Sequence, residues 1–537
     1  MRFIYSMIMN STFKTKTTLM KINIAKHIGT TFLIGLLLLG PGCKKFLNEK
    51  DPSNLTPEDF YTIPEHADAG LAAVYSSTRF IGDGAGIFSS NWQLLEAVSG
   101  TSTTETAQNS DLNNLYGLVF DGNTGHLVNW WNGIYRVIAQ ANLLLEKVPG
   151  IPDMEDAHRK RVMGEAKFLR AWAYFYAVRL WGDVPLITKP QTIKSEDFYP
   201  KRATAEEVYT LIVEDLIAAE EADLPWMDKS GHVNLAAVKS ELALVYLTMA
   251  GQPLNKGNGH YRLAADKAKE VITYAKANSA QINLFPTYAQ VHDETKKNEL
   301  EHLFMLQYNT VVAANPMDNM YPNFKPVTYN GASGTGSTVP TREFYNSYET
   351  GDLRAIDREG YFYSSYFTNG TGALFQLGAP YIFKHFNRAA NGSSGTVPTR
   401  RNNLNVPLIR YAEVLLIYAE AQNEADGAPN ADAYEAFKRI RDRAKLVTPG
   451  IGTYNQTSFR EAVWRERWHE LCYEQITWFD MVRLRKVFNE TTKGFDNFVG
   501  HVNQSSKQPL QSKHLLFPLP RPEMQNNPNL TPNNPGY

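Results

Sequence analysis

A mostly α-helical fold is what this sequence predicts: an α–α superhelix of helix pairs carrying a loop-rich insertion with short strands. Three observations lead there. Apolar residues recur at spacings of three and four along most of the chain. Short Gly- and Pro-containing links separate these periodic runs and set neighbouring helices antiparallel. From about 283 to 405 the period is lost and Gly, Asn, Ser, Pro and aromatic residues take over. The composition fits a globular body: 537 residues, 43% hydrophobic and 12% aromatic, with 54 basic against 55 acidic residues. That balance argues against disorder, and without a basic excess nucleic acid is not an expected partner. Two cysteines, Cys43 and Cys472, exclude a disulfide scaffold and a cysteine-built metal site.

In chain order, the first element is an address. The apolar run IGTTFLIGLLLL, from Ile28 to Leu39, is shorter than the ~20 residues that span a bilayer and follows the basic Lys21 and Lys26. Residues 1–42 are read as a signal peptide, with Met20 as the expected start of translation. The Gly-Pro-Gly-Cys that follows resembles a lipoprotein lipobox and implies that Cys43 is the acylated first residue of the mature chain. Residues 43–537 are then a single domain, with a helical part at about 43–282, the insertion at about 283–405, and a second helical part at about 406–537.

Helices are expected at about 126–147, 155–181, 205–222, 234–250 and 261–277, then at 408–426, 430–446 and 458–487. Asn234 is the expected N-cap of its helix. Pairs of this kind resemble tetratricopeptide arrays, although no strict 34-residue repeat is legible, so the repeats are degenerate. The polar stretch 82–125 shares the character of the insertion, and long irregular stretches in a helical chain favour functional surface.

No catalytic constellation is legible. His469-Glu470-Leu471-Cys472-Tyr473 has Tyr473 where a zinc-protease helix needs its second histidine. Arg465, Glu466, Arg467, Glu470 and Glu474 read as an ion-pair network, not as paired catalytic carboxylates. Cys472 reads as a small packed residue. Phosphate loops and nucleophile elbows are absent, so neither a catalytic residue, a metal site nor a cofactor is expected.

Four stretches carry a resemblance: CKKFLNEKDPSNLTPEDFYT with the following EHADAGLAAVYSS; GEAKFLRAWAYFYAVRLWGDVPLI; NVPLIRYAEVLLIYAEAQNE; and RERWHELCYEQITWFDMVRL with the terminal LLFPLPRPEMQNNPNLTPNNPGY. Together they resemble the SusD/RagB family of outer-membrane nutrient-uptake lipoproteins of Bacteroidetes. The resemblance implies a noncatalytic, lipid-anchored protein at the outer face of the outer membrane. It also implies partnership with a SusC-like TonB-dependent transporter, which the lipoprotein covers like a hinged lid and supplies with a glycan or other nutrient. Trp172, Tyr174, Tyr176, Trp181, Tyr418 and Trp478 in these motifs read as helix contacts.

Aromatic rings outside helical stripes, beside amide or charged groups, suit the apolar faces and hydroxyls of an oligosaccharide. By that criterion the candidates are Trp92 with Asn91 and Arg79 nearby, and Tyr321, Phe324, Tyr329, Tyr361 and Tyr363 in the insertion. Trp92 also lies where the SusD-like starch binder contributes loop residues to its sugar site. Two other readings stand beside this one: a surface glycoside hydrolase, and a helical-repeat scaffold for proteins.

Overall fold

The computed structural model describes residues 60–83, 90–106, 109–317, 336–367, 374–386 and 402–537, with backbone alone at 328–329 and 332–333. The acylation expected at Cys43, the signal peptide and the rings of Tyr321, Phe324 and Tyr329 lie outside the described residues.

Helix α1 (Pro64–Thr78) starts on a proline, which loses no hydrogen bond in a first turn. A short helix, α2 (Gln93–Val98), is buried along its whole length. Then come α3 (Gly125–Lys147), α4 (Asp156–Trp181), α5 (Ala205–Glu220), α6 (Leu235–Ala250) and α7 (Asn258–Ala277). Each of α3 to α7 packs on the next, and α1 lies across α3 and α4. Caps set the starts: Thr204 and Glu207 form a capping box on α5, and the Asn234 side chain accepts from Ala237 N at 2.9 Å. In α4, Gly164 allows close approach, since a Cβ there would stand 2.2 Å from the Ala222 methyl.

The motif residues Trp172, Tyr174, Tyr176 and Trp181 are all buried. Arg170 in the same helix makes a bidentate pair with Asp215 at 2.8 Å and donates to Asn142 Oδ1, tying α4 to α5 and α3. Trp181 Nε1 donates to Pro518 O at 3.0 Å, which binds the C-terminal motif to α4.

The stack continues after the insertion with α8 (Tyr411–Asp426), α9 (Ala431–Arg443), α10 (Gln456–Glu470) and α11 (Thr477–Leu484). Helix α7 packs directly on α8, so the intervening residues leave the stack and return without interrupting it. They leave and return on one ladder. His302–Leu306 pairs antiparallel with Val406–Arg410, Leu306 opposite Val406 and His302 opposite Arg410. Within the insertion, Phe362–Phe367 pairs with Leu374–Ile382, and Val339–Pro340 pairs with Ser102–Thr103 of the early polar stretch. Tyr61–Tyr537 form one compact unit, and among the described residues no helix is long and apolar enough to cross a membrane.

One expected helix is broken. The pattern at 458–487 predicts a single helix, yet α10 ends at Glu470 and α11 starts at Thr477. Tyr473 and Gln475 take positive φ, 60° and 65°, in the turn between. Tertiary bonds select this turn. Gln475 N donates to Glu96 Oε1 and its side chain to Trp92 O, while Tyr473 Oη donates to Thr101 O. These contacts bring the 92–103 segment onto the C-terminal helices, and they outweigh helix propensity.

Candidate functional site

The carboxylates of Glu466, Glu470 and Glu474 are engaged with cations in the interior. Glu466 meets Arg354 at 2.7 Å and Arg441 at 3.2 Å. Glu470 meets Arg443 at 2.6 Å, Arg410 at 3.2 Å and Arg354 at 3.3 Å, and accepts from Tyr361 Oη at 2.8 Å. Glu474 pairs with Arg410 at 2.7 Å and with Lys384. Burial would raise the Glu470 carboxyl, but Arg443, Arg410, Arg354 and Lys384 outweigh it and hold it down to about 2. All three carboxylates are buried, as the ion-pair reading expects. Burial pushes the Cys472 thiol up to about 11, which keeps it a packed, unreactive group. Among the described residues no cluster of His, Cys, Asp and Glu could hold a metal.

The aromatic candidates need correction. Trp92 is fully buried, its ring edge-on to His385 at 5.4 Å and its carbonyl accepting from Gln475. Asn91 is buried too, donating to Phe80 O while its own carbonyl accepts from Trp130 Nε1 at 2.7 Å. Tyr361 sits over the charged seam with Lys384 Nζ 4.0 Å from its ring centre. Tyr363 is buried in a second small core with Tyr366, Tyr381, Phe383 and Phe386. None of these four is at the surface: Trp92, Asn91 and Tyr361 tie the polar stretch and the insertion to the scaffold, and Tyr363 packs within the insertion. Arg79 is half-buried, donating to Ser76 Oγ at 2.6 Å, and stands near Asp83, whose carboxyl burial raises against the pull of Arg79 and Arg136.

Exposed rings occur elsewhere, in the link between α4 and α5. A two-residue ladder, Val184–Pro185 with Arg202–Ala203, closes this link at its base. Asn527 and Asn529 donate to the carbonyls of Pro200 and Tyr199 at 2.8 and 2.6 Å, and Gln191 donates to Asp197 O at 2.9 Å. So held, the link borders an open groove of about 990 Å³. Phe198 and Tyr199 stand on it 43% and 52% exposed, ring centres 4.9 Å apart and edge to face. Gln191, Asp197, Lys189 and Asn529 line the same groove. Apolar ring faces beside amide, carboxylate and ammonium groups are what a sugar requires. The legible signal was an aromatic pair in SEDFYPKR, outside every helical stripe.

Residues 355–537 match the family described as SusD family, and residues 45–247 match the one described as Starch-binding associating with outer membrane. A crystal structure of a SusD superfamily protein from Parabacteroides distasonis is 33% identical. It covers 90% of this chain and 100% of its own, with a TM-score of 0.81. The chain belongs to the SusD family. The SusD-like protein P2 of Formosa agariphila is 28% identical over 95% of this chain and 100% of that relative. Surface glycan-binding protein A from Bacteroides thetaiotaomicron, solved in complex with laminarihexaose, shares the fold with a TM-score of 0.68. It is 19% identical, over 88% of this chain and 100% of its own. SusD family proteins are binding proteins without catalytic activity, in keeping with the neutralised carboxylates of α10.

Proposed function

We propose that this SusD family protein binds oligosaccharide at the cell surface, is anchored through acylated Cys43, and delivers its ligand to a SusC-like TonB-dependent transporter. The observation that carries the binding reading is the pair of exposed rings, Phe198 and Tyr199, on an open groove lined by amide and charged groups. A structural relative described as binding laminarihexaose supports the ligand class. The insertion's Tyr321, Phe324 and Tyr329, with Arg79, make the second set of candidate contacts. Stable attachment takes more than one acyl chain, at ~0.8 kcal/mol per buried methylene, which an acylated N-terminal cysteine provides.

The test is binding of the purified protein to laminari- and xylogluco-oligosaccharides, measured by calorimetry alongside a reducing-end assay. Binding without sugar release is expected, and Tyr199→Ala and Tyr329→Ala should each weaken it. Release of reducing ends, abolished by one Asp or Glu substitution, would replace the binding reading with a hydrolase.

A further inference from the structure

A second cavity, of about 850 Å³, opens where the C-termini of α4, α6 and α11 meet the N-terminus of α5 and the chain's C-terminal segment. Its walls are largely apolar, with Val178, Leu254, Phe479, Val482, Leu515 and Leu516 among them. Arg179 lines this cavity in an unusual setting. Its guanidinium carbon lies 3.6 Å from the Phe175 ring centre and 3.9 Å from that of Phe479, so two rings hold the cation in place. Nε donates to Phe175 O at 2.9 Å. Among the described residues no carboxylate comes within ion-pair distance of it, in contrast to Arg170, Arg354, Arg410 and Arg467, which are all paired.

The other charges on the cavity do not answer it. Arg483 is neutralised by Glu420 and Asp480. Arg202 spends its donors on Asp183 O, Pro532 O, Trp181 O and the Asn534 amide. Arg485 donates to Val482 O at 2.7 Å and pairs with no carboxylate among the described residues. Of the acids, Asp183 accepts from Ala205 N and Glu206 pairs with Lys256. Arg179 is partly buried, and the opposing charges of Glu241 and Glu413 act on it only from beyond ion-pair distance. The cavity thus carries a guanidinium with no carboxylate of the described residues in direct contact, which makes it a candidate functional site. Burial lowers the Arg179 guanidinium from its ordinary range against the pull of Tyr176, Glu241, Tyr209 and Glu413, and it lowers that of Arg485 as well, a cost that a bound anion would relieve.

We propose that this cavity is a binding site for a small carboxylate with an apolar body, its carboxylate taken by the Nη groups of Arg179 and its apolar part by the Leu and Phe walls. A guanidinium fixed in one plane by two rings is already oriented for bidentate capture, and its charge selects an acid over a neutral analogue of the same shape. The site adjoins the Phe198–Tyr199 groove, with Arg202 lining both, but neither Arg179 nor Leu516 lines that groove and the proposal does not depend on the oligosaccharide reading.

The probes are 4-phenylbutyrate and 4-phenylbutanol, each titrated into the purified protein by calorimetry at pH 7. The acid should bind with a Kd below about 1 mM and at least about tenfold tighter than the alcohol. Arg179→Met keeps an apolar stem between the two rings and should erase that preference. Leu516→Trp, which fills the cavity, should abolish binding of both probes without lowering the melting temperature much, and it decides the matter if Arg179→Met fails to fold. Equal affinity of the parent for the two probes, no binding of either, or binding unaffected by Leu516→Trp would overturn the proposal. Oligosaccharide binding measured on the same variants should be unchanged.

Discussion

Helix α4 and the link that follows it both carry aromatic residues, and the structure uses them in opposite ways. In α4, Trp172, Tyr174, Tyr176 and Trp181 fall on a helix packed by neighbours on several sides, and all are buried. Further along, Phe198 and Tyr199 lie on a link tied to α3 and α4 near its start by Asn142 and Tyr174 and held at the rings by the C-terminal asparagines, and both stay exposed. Aromatic content therefore says little about function until the number of packing neighbours is known. Tyr361 and Tyr363 carry the same lesson from the other side. Their Gly- and Ser-rich surroundings suggest open loop, yet a strand that begins at Phe362 carries Tyr363 into the interior and Tyr361, just before it, is buried as well.

Substitutions should separate the two kinds of ring. Trp92→Ala removes a fully buried indole, and a loss of about 3–5 kcal/mol of unfolding free energy is expected in urea titration. A Trp92→Ala protein that keeps parental stability and loses only ligand affinity would return this residue to the surface. Tyr361→Phe deletes one hydrogen bond to Glu470 in the charged seam and should cost about 1–2 kcal/mol, with oligosaccharide affinity unchanged. Phe198→Ala should change stability by no more than about 0.5 kcal/mol while weakening sugar binding. Were the exposed pair structural, Phe198→Ala would instead lower stability and leave sugar affinity unchanged.

The charged interior gives a pH signature. Burial lowers His292 and His469 well below their usual value and His385 to about 4, so the unfolded chain takes up protons there before the folded one. Stability is thereby lost as pH falls from about 6.5 towards 4. Burial raises Glu96, Glu241 and Glu413 to about 7, which acts in the opposite sense between about 7 and 4.5, where only the folded form holds those protons. Below about 4.5 this offset ends. The Glu470 contribution then disappears as pH falls from about 4.5 to 2. The melting temperature should change little from pH 7 to 5 and fall steeply below 4.5, and Glu413→Gln should move the onset of the decline to higher pH.

The helical stack was legible because its apolar period is sustained. Seven expected helices match α3 to α9 to within a few residues, and Asn234 caps α6 as its position predicts. What was not legible depends on distant contacts. The turn at 471–476 is set by Glu96 and Trp92, almost four hundred residues away in sequence, and no local pattern encodes it. Likewise Trp92 begins a run whose neighbours are polar, and only the packing of α2 on α11 and α3 shows that the whole segment is interior. The ion-pair reading of Glu466, Glu470 and Glu474 agrees with the structure because acids alternating with arginines on one helix need counter-charges nearby. Their partners Arg354, Arg410 and Arg443 come from other segments and could not be named in advance.

The ladder that joins His302–Leu306 to Val406–Arg410 bears on how such a protein can diversify. Helix α7 packs on α8 and the ladder closes the frame, yet the segment from 307 to 405 is also part of the interior, since its Arg354, Tyr361 and Lys384 hold Glu466, Glu470 and Glu474. Lengthening it costs only the slow logarithmic rise of loop-closure entropy, about 0.6 kcal/mol per doubling. A lineage that rewrites this segment must therefore keep Arg354, Tyr361 and Lys384 in place, because without them the carboxylates of Glu466, Glu470 and Glu474 lose part of the counter-charge and hydrogen bonding that holds them in the interior.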